Sequence, residues 1–508
     1  MRRNEDERKG LAIEAHRDSV QSFGDTREKS ASSPFATIIL VIGIACLFST
    51  LLIYSGTVIS FLRFEGARLF VGTFAETTLL AGTLFGSLFL GLSLAGRKLP
   101  FMLFGAGGGA VHLCCALAFA HFSWFGSPCD ALTVALSIAV AFGDTCLALA
   151  WGRICARFAI RYALVTVSLA SMLSAGACFL YAALPLPGTT ALFVLCAIGA
   201  AIIPLAFADT ECGDKRMAEQ SESRAMRATM ASLSDVIVAP GLGLLVFAFS
   251  MAVMRTSFIE SQSAYLAALT LDAAALASYA GARKKRFTLQ SGMHQTFLPL
   301  MAMVLLAATS ISSSVGAGSK FVSFLTYALY ALAAILTLST LCAIAHAGEF
   351  SADLVFSTAV LLFCAASFAG QSFANVLGDD LVHVAVTVIT TLYAFVMVLL
   401  PHMRRSREAH DETPTSGRPK TAAAPNRVPD RCSQLANEHS LTAREQEILL
   451  YLAEGHSGAY IADVLFISPN TARTHIHNIY RKLGVSSRED VLQLAKGDQI
   501  SPKTSPRT

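Results

Sequence analysis

Between Ser468 and Ser487 the sequence SPNTARTHIHNIYRKLGVSS holds no acidic residue. If Pro469 opens a helix here, Ala472, Ile476, Ile479 and Leu483 recur at i, i+4, i+7 and i+11 as one apolar stripe. Asn470, Arg473, Thr474, His477, Arg481 and Lys482 then fall on the other side. Cations, hydroxyls and amides without a countercharge suit an anion, and a helix presenting them suits the major groove of a duplex. The whole chain carries only +4 at neutral pH, so this face is a local property. A small helical bundle with a solvated basic face would show the same pattern, and the periodicity alone leaves both readings open.

A second set of reactive side chains lies inside apolar runs. Glu76, Asp144, Asp235 and Asp272, with His112 and His383, are ionisable groups where hydrocarbon makes them costly. Asp144, mid-run in AFGDTCLALAW, is the strongest candidate for a ligand-site residue, with Glu76 behind it. Glu76, Asp235 and Asp272 also fit positions toward helix ends or beside polar neighbours. Cys46, Cys114, Cys115, Cys146, Cys178, Cys196, Cys342 and Cys364 sit in apolar stretches and read as small apolar residues. No Cys/His spacing suits zinc, and no nucleophile or nucleotide-binding motif is present. The sequence therefore predicts neither an enzyme nor a metal or cofactor.

The elements that must carry these residues follow from composition. Of 508 residues, 54% are hydrophobic and 15% charged, against about 45–50% and about 25% in soluble proteins. Twelve apolar runs near the ~20 residues of a membrane-spanning helix lie at 35–61, 70–96, 99–121, 130–151, 158–183, 189–208, 229–254, 258–281, 296–316, 320–345, 352–374 and 381–402. The run at 352–374 is the least secure, since Gln371 and Asn375 lie at its end and Asp379 and Asp380 follow. With the N-terminus inside, the cytoplasmic loops carry thirteen Lys and Arg and the opposite loops four, which fixes the orientation. The loop around His346 and Glu349 is the exception, having neither Lys nor Arg. Both termini are expected in the cytoplasm, in the inner membrane of a cell.

The remaining segments are predicted as a polar cytoplasmic tail at 1–34, a flexible Pro-rich linker at 403–437, a DNA-binding domain at 438–500 and a short tail at 501–508. The linker would reach about 30–35 Å. Within the domain, Thr442 and Glu445 form a capping box opening a first helix that Gly455 closes. Ser457 to Leu465 gives a second helix, Ser468 caps the third with Pro469 in its first turn, and Arg488 to Lys496 gives a fourth.

Residues 441–496 resemble the effector domain of LuxR-type transcription regulators, at LTAREQEIL, the AEG turn, IADVLFIS and THIHNIYRKLGVSSR. That resemblance implies that Arg473, Thr474 and His477 face base edges, that Asn470, Thr471, Tyr480 and Lys482 meet phosphates, and that His475 packs at the helix base. It also implies a homodimer through the last helix, with Val491, Leu492 and Leu494. Two departures are visible. Ala472 replaces the usual Val, and Tyr460 replaces the usual Glu. Residues 35–402 resemble, in architecture, the major facilitator superfamily: six and six helices joined by a longer loop near 209–228. The loop after the second run has Gly91, Gly96, Arg97 and Lys98 but lacks that family's acid. The expectation is an all-α, one-component regulator: a twelve-helix bundle that senses a small molecule or membrane signal, tethering a four-helix domain that binds double-stranded DNA. A transporter with a regulatory helix-turn-helix tail is the alternative.

Overall fold

The computed structural model describes residues 34–54, 67–97, 100–101, 103–126, 129–158, 160–207, 241–253, 262–282, 319–347, 350–377, parts of 388–399, 428–456, 458–467, 469–485 and 488–496. Asp235, His383, Ser457, Ser468, the first part of the run at 229–254 (229–240) and the run at 296–316 lie outside these residues. Among the described residues every element is helical. In chain order they are α1 (Pro34–Tyr54), α2 (Ala67–Leu94), a π-helical turn (Leu103–Gly108), α3 (Gly109–Phe125), α4 (Asp130–Cys155), α5 (Ile160–Ala183) and α6 (Leu186–Ala206). They continue with α7 (Gly241–Val253), α8 (Gln262–Ala282), α9 (Ser319–His346) and α10 (Ala352–Leu377). Eight described helices are long and apolar enough to cross a membrane. α8 has 21 residues and carries Asp272 in its middle rather than near an end, its Oδ2 buried without a hydrogen-bond partner, which corrects the sequence expectation for that residue. The doubtful run at 352–374 is one unbroken helix of 26 residues.

These helices pack through two apolar clusters. One gathers Leu40, Ile44, Trp151, Ile154, Phe350 and Phe356 around the beginning of α1 and the end of α4. The other gathers Ile53, Phe74, Phe119, Tyr181 and Tyr327 toward the opposite end. α2 meets α10 through Gly82 and Gly86, four apart on one face. A Cβ added at Gly86 would lie 3.0 Å from the backbone of Leu361. Small residues at this spacing let two helices approach closely in hydrocarbon, where packing rather than water drives association.

Polar contacts tie matching helix ends together. Thr37 meets Tyr162, Arg161 Nε donates to Ala280 O at 2.9 Å, and His346 Nδ1 lies 3.1 Å from Ala156 O. Arg153 clamps Asp353 with Nε–Oδ1 at 2.5 Å and Nη2–Oδ2 at 2.6 Å. The start of α1 and the segments near 153–161, 280 and 346–353 therefore share one end of the bundle, the end that carries Arg153, Arg157 and Arg161. A phosphatase that works only outside the cell, fused after Leu377, is expected to be active, and fused after His402 inactive. Activity after His402 would contradict the assigned orientation.

Beyond the bundle come α11 (Val428–Glu438), α12 (Ala443–Ala453), α13 (Gly458–Leu465), α14 (Pro469–Leu483) and α15 (Arg488–Lys496). α11 corrects two expectations, a linker running to 437 and a four-helix domain. Its Cys432, Leu435 and Ala436, at i, i+3 and i+4, are buried, with Cys432 and Leu435 joining the core of the terminal domain. Gln446 Nε2 of α12 donates to Ser433 Oγ at 3.3 Å. Pro429, read in the sequence as a linker residue, is the second residue of α11, where a missing N–H costs nothing.

Candidate nucleic-acid interface

The terminal domain is built from its caps inward. Thr442 takes the amide of Glu445 on its hydroxyl at 3.2 Å, and Glu445 Oε2 takes the amide of Thr442 at 2.9 Å, the reciprocal box expected from the sequence. Gly455 ends α12 with φ 87°, a left-handed conformation that glycine adopts without steric cost. Ile448, Leu449 and Leu452 of α12 pack with Ile461, Ala462 and Leu465 of α13. Arg444 Nη2 donates to Leu465 O at 2.8 Å and so satisfies a carbonyl at the end of α13. Tyr460, where an acid is usual, stacks on His456 with ring centroids 4.1 Å apart.

α14 behaves as its spacing predicts. Ala472, Ile479 and Leu483 are buried, and Ile476 is half-buried with its Cδ1 3.2 Å from where a Cβ on Gly458 would lie. Arg473, Thr474, His477 and Arg481 are exposed along the other side. Thr471, His475 and Tyr480 are half-buried at its flanks, and the side chain of Asn470 lies outside the described residues. The helix presents one cationic, hydrogen-bonding ridge on a rigid core, preceded by a short helix and a tight turn. This is the arrangement that seats the second helix in a major groove.

Lys482 has a different geometry from the one its family position implied. Its Nζ lies 2.6 Å from Glu445 Oε2 and donates to Ser440 O at 3.4 Å. The Lys482 carbonyl accepts from His439 Nδ1 at 2.9 Å. Burial works against the charge on Glu445, but the Lys482 ammonium and the Thr442 amide and hydroxyl outweigh it and hold the carboxyl below its ordinary value. Because the folded value is depressed, this stabilisation is present above the ordinary glutamate range, near 4.3, and is lost as pH falls through the folded value. Lys482→Ala should therefore lower domain stability by about 1–3 kcal/mol by leaving a buried carboxylate short of its cation. Thermal melts of the full chain across acid pH check this. Glu445→Gln should flatten the acid limb.

Val491 and Ala495 of α15 are in the core, so Val491 is not free to form the dimer surface expected of it. Leu492 is half-buried and Gln493 exposed.

A second constellation lies in the bundle. His112 Nδ1 of α3 is 2.7 Å from Asp144 Oδ1 of α4. With the carboxylate accepting, Nδ1 is the donor of this bond. His112 is fully buried and its Nε2 has no hydrogen-bond partner. Tyr54 of α1 stands edge-on to the imidazole at 5.6 Å, its hydroxyl also buried and unpartnered. Glu76 does not join them. Phe85 of α2 contacts Phe142 of α4, which puts Asp144 two to three turns deeper along α2 than Glu76.

Residues 439–495 match the family described as "Bacterial regulatory proteins, luxR family". The chain thus carries a LuxR-family DNA-binding helix-turn-helix domain at this end. The membrane part is similar in fold to a bacterial homologue of the iron transporter ferroportin in its outward-facing state. That likeness has a TM-score of 0.51 at 13% identity and covers 73% of this chain and 100% of that one. A major facilitator superfamily proton:xylose symporter, bound to 6-bromo-6-deoxy-D-glucose, gives 0.49 at 11% identity over 73% of this chain and 94% of that one. The chain is a transporter-like membrane bundle fused to a LuxR-family domain.

Proposed function

We propose that this protein is a membrane-anchored, one-component transcription regulator whose bundle senses a small molecule and controls DNA binding by the tethered domain. The observation that carries it is the exposed ridge of Arg473, Thr474 and His477 on a helix whose opposite face is locked in a LuxR-family core. In this reading those three side chains read base edges. Asn470, Thr471 and Tyr480 hold phosphates, which position the domain without reading sequence. Lys482 holds Glu445 in place and contributes to the interface through the fold. The domain works as a homodimer through the outward side of α15, which places two half-sites about 34–36 Å apart. The bundle's ligand meets the Asp144–His112 pair, at His112 Nε2, together with the Tyr54 hydroxyl, two buried polar atoms left without a hydrogen-bond partner in an apolar surround.

Selection from a random-sequence duplex pool by the full chain in lipid nanodiscs tests this. A recurring motif with two related halves is expected. Binding should weaken with salt roughly in proportion to the phosphates contacted. A pool that emerges without enrichment at low and moderate salt would refute DNA recognition. The transporter alternative predicts instead that counterflow of a substrate through the bundle persists when residues 428–508 are deleted.

A further inference from the structure

Ala347, just past the end of α9, packs against buried side chains of the terminal domain's core. In return Phe466, in the turn between α13 and α14, packs against the bundle's cluster of Leu40, Trp151 and Phe350. Two contacts in opposite directions join the same surfaces. Phe466 has φ 54°, a conformation uncommon for a bulky residue, and is half-buried.

The seat is formed where α9 gives way to α10. Of this junction Ala347 and Phe350 are described, and it falls in the one expected cytoplasmic loop without Lys or Arg. The seat is also tied to the first half of the bundle, by His346 on Ala156 O and by the Arg153–Asp353 clamp. A shift of the second half against the first would move it.

α14 begins three residues after Phe466. In helix-turn-helix docking the start of the second helix enters the groove while the first crosses the sugar-phosphate backbone. The turn that meets the bundle thus adjoins the part of the domain at which a duplex would dock. Arg473, Thr474 and His477 stay exposed, so the seat leaves the reading face itself uncovered. We propose that Phe466 and Ala347 form an autoinhibitory latch: seated, the domain is withheld from DNA, and rearrangement at the α9–α10 junction releases it. The latch rests on the reading of the domain as DNA-binding.

The test uses the full chain in nanodiscs with p-benzoyl-phenylalanine at position 466 and a labelled random-sequence duplex at low salt. Illumination should cross-link to the peptide carrying Ala347, and excess duplex should reduce the yield. Ala347→Glu, made in the bundle and outside the DNA-binding fold, should tighten duplex binding although it adds negative charge. If one molecule in ten is unlatched, the gain is about tenfold. Absence of the cross-link, with equal duplex binding by parent and variant, overturns the latch and leaves DNA binding standing. A cross-link that forms while neither form binds duplex overturns the DNA-binding reading and the inhibitory role with it. A cross-link that persists in Ala347→Glu, with unchanged affinity, overturns the role of this contact in inhibition.

Discussion

Replacing Arg473 with alanine is expected to abolish discrimination between a selected duplex and a scrambled one while the domain stays folded. Arg473 is exposed on the face of α14 opposite Ala472 and Ile479, so its removal opens no cavity. A good bidentate contact to a base contributes about 1–3 kcal/mol of discrimination, or roughly 5- to 150-fold in relative affinity. Competition binding with both duplexes measures the ratio, and circular dichroism checks the fold. A phosphate contact would behave differently, weakening both duplexes alike and shrinking the salt slope by about one. Retained discrimination with a normal spectrum would remove Arg473 from the reading face.

Arg153→Ala should be among the most destabilising single changes in the bundle. Its guanidinium meets Asp353 through two nitrogens, Nε and Nη2, and the two side chains are 16% and 14% exposed. Losing one partner of a buried pair costs about 3–5 kcal/mol because the other charge is left uncompensated. The clamp joins α4 to α10, which also touch where Phe356 fills the space a side chain on Gly152 would need. Thermal melts of Arg153→Ala, Asp353→Ala and the double variant separate pair from packing. The double variant should be less destabilised than the sum of the two single changes, by at least about 0.5 kcal/mol of coupling. Strict additivity would mean that the pair contributes nothing.

The contrast between these two sites shows what a sequence exposes. The recognition helix was legible because every signal in it is local: a proline in the first turn, a stripe at 3.6-residue spacing, and a face without acids. The Thr442–Glu445 box is equally local. Lys482 and Glu445 are 37 residues apart, and their spacing says nothing of the ion pair; family position suggested a phosphate contact instead. α11 was missed because prolines dominate the stretch before it, and only packing shows that Pro429 opens a helix rather than breaking one. In the bundle, hydropathy found the runs and the isolated acids. It could not show that Asp144 meets His112 across 32 residues while Glu76 stands apart, since helix-to-helix pairing depends on depth and rotation. Nor could it show that Phe466 packs against the bundle's cluster of Leu40, Trp151 and Phe350.

The central claim is that one chain binds DNA specifically while remaining in the membrane. Chromatin immunoprecipitation of the full chain from cross-linked cells, with membrane fractionation of the same culture, tests it most directly. Discrete DNA peaks are expected from protein recovered wholly with the membranes, and the peaks should vanish in Arg473→Ala without any change in fractionation. DNA without peaks, or peaks that survive the Arg473 change, would contradict the account.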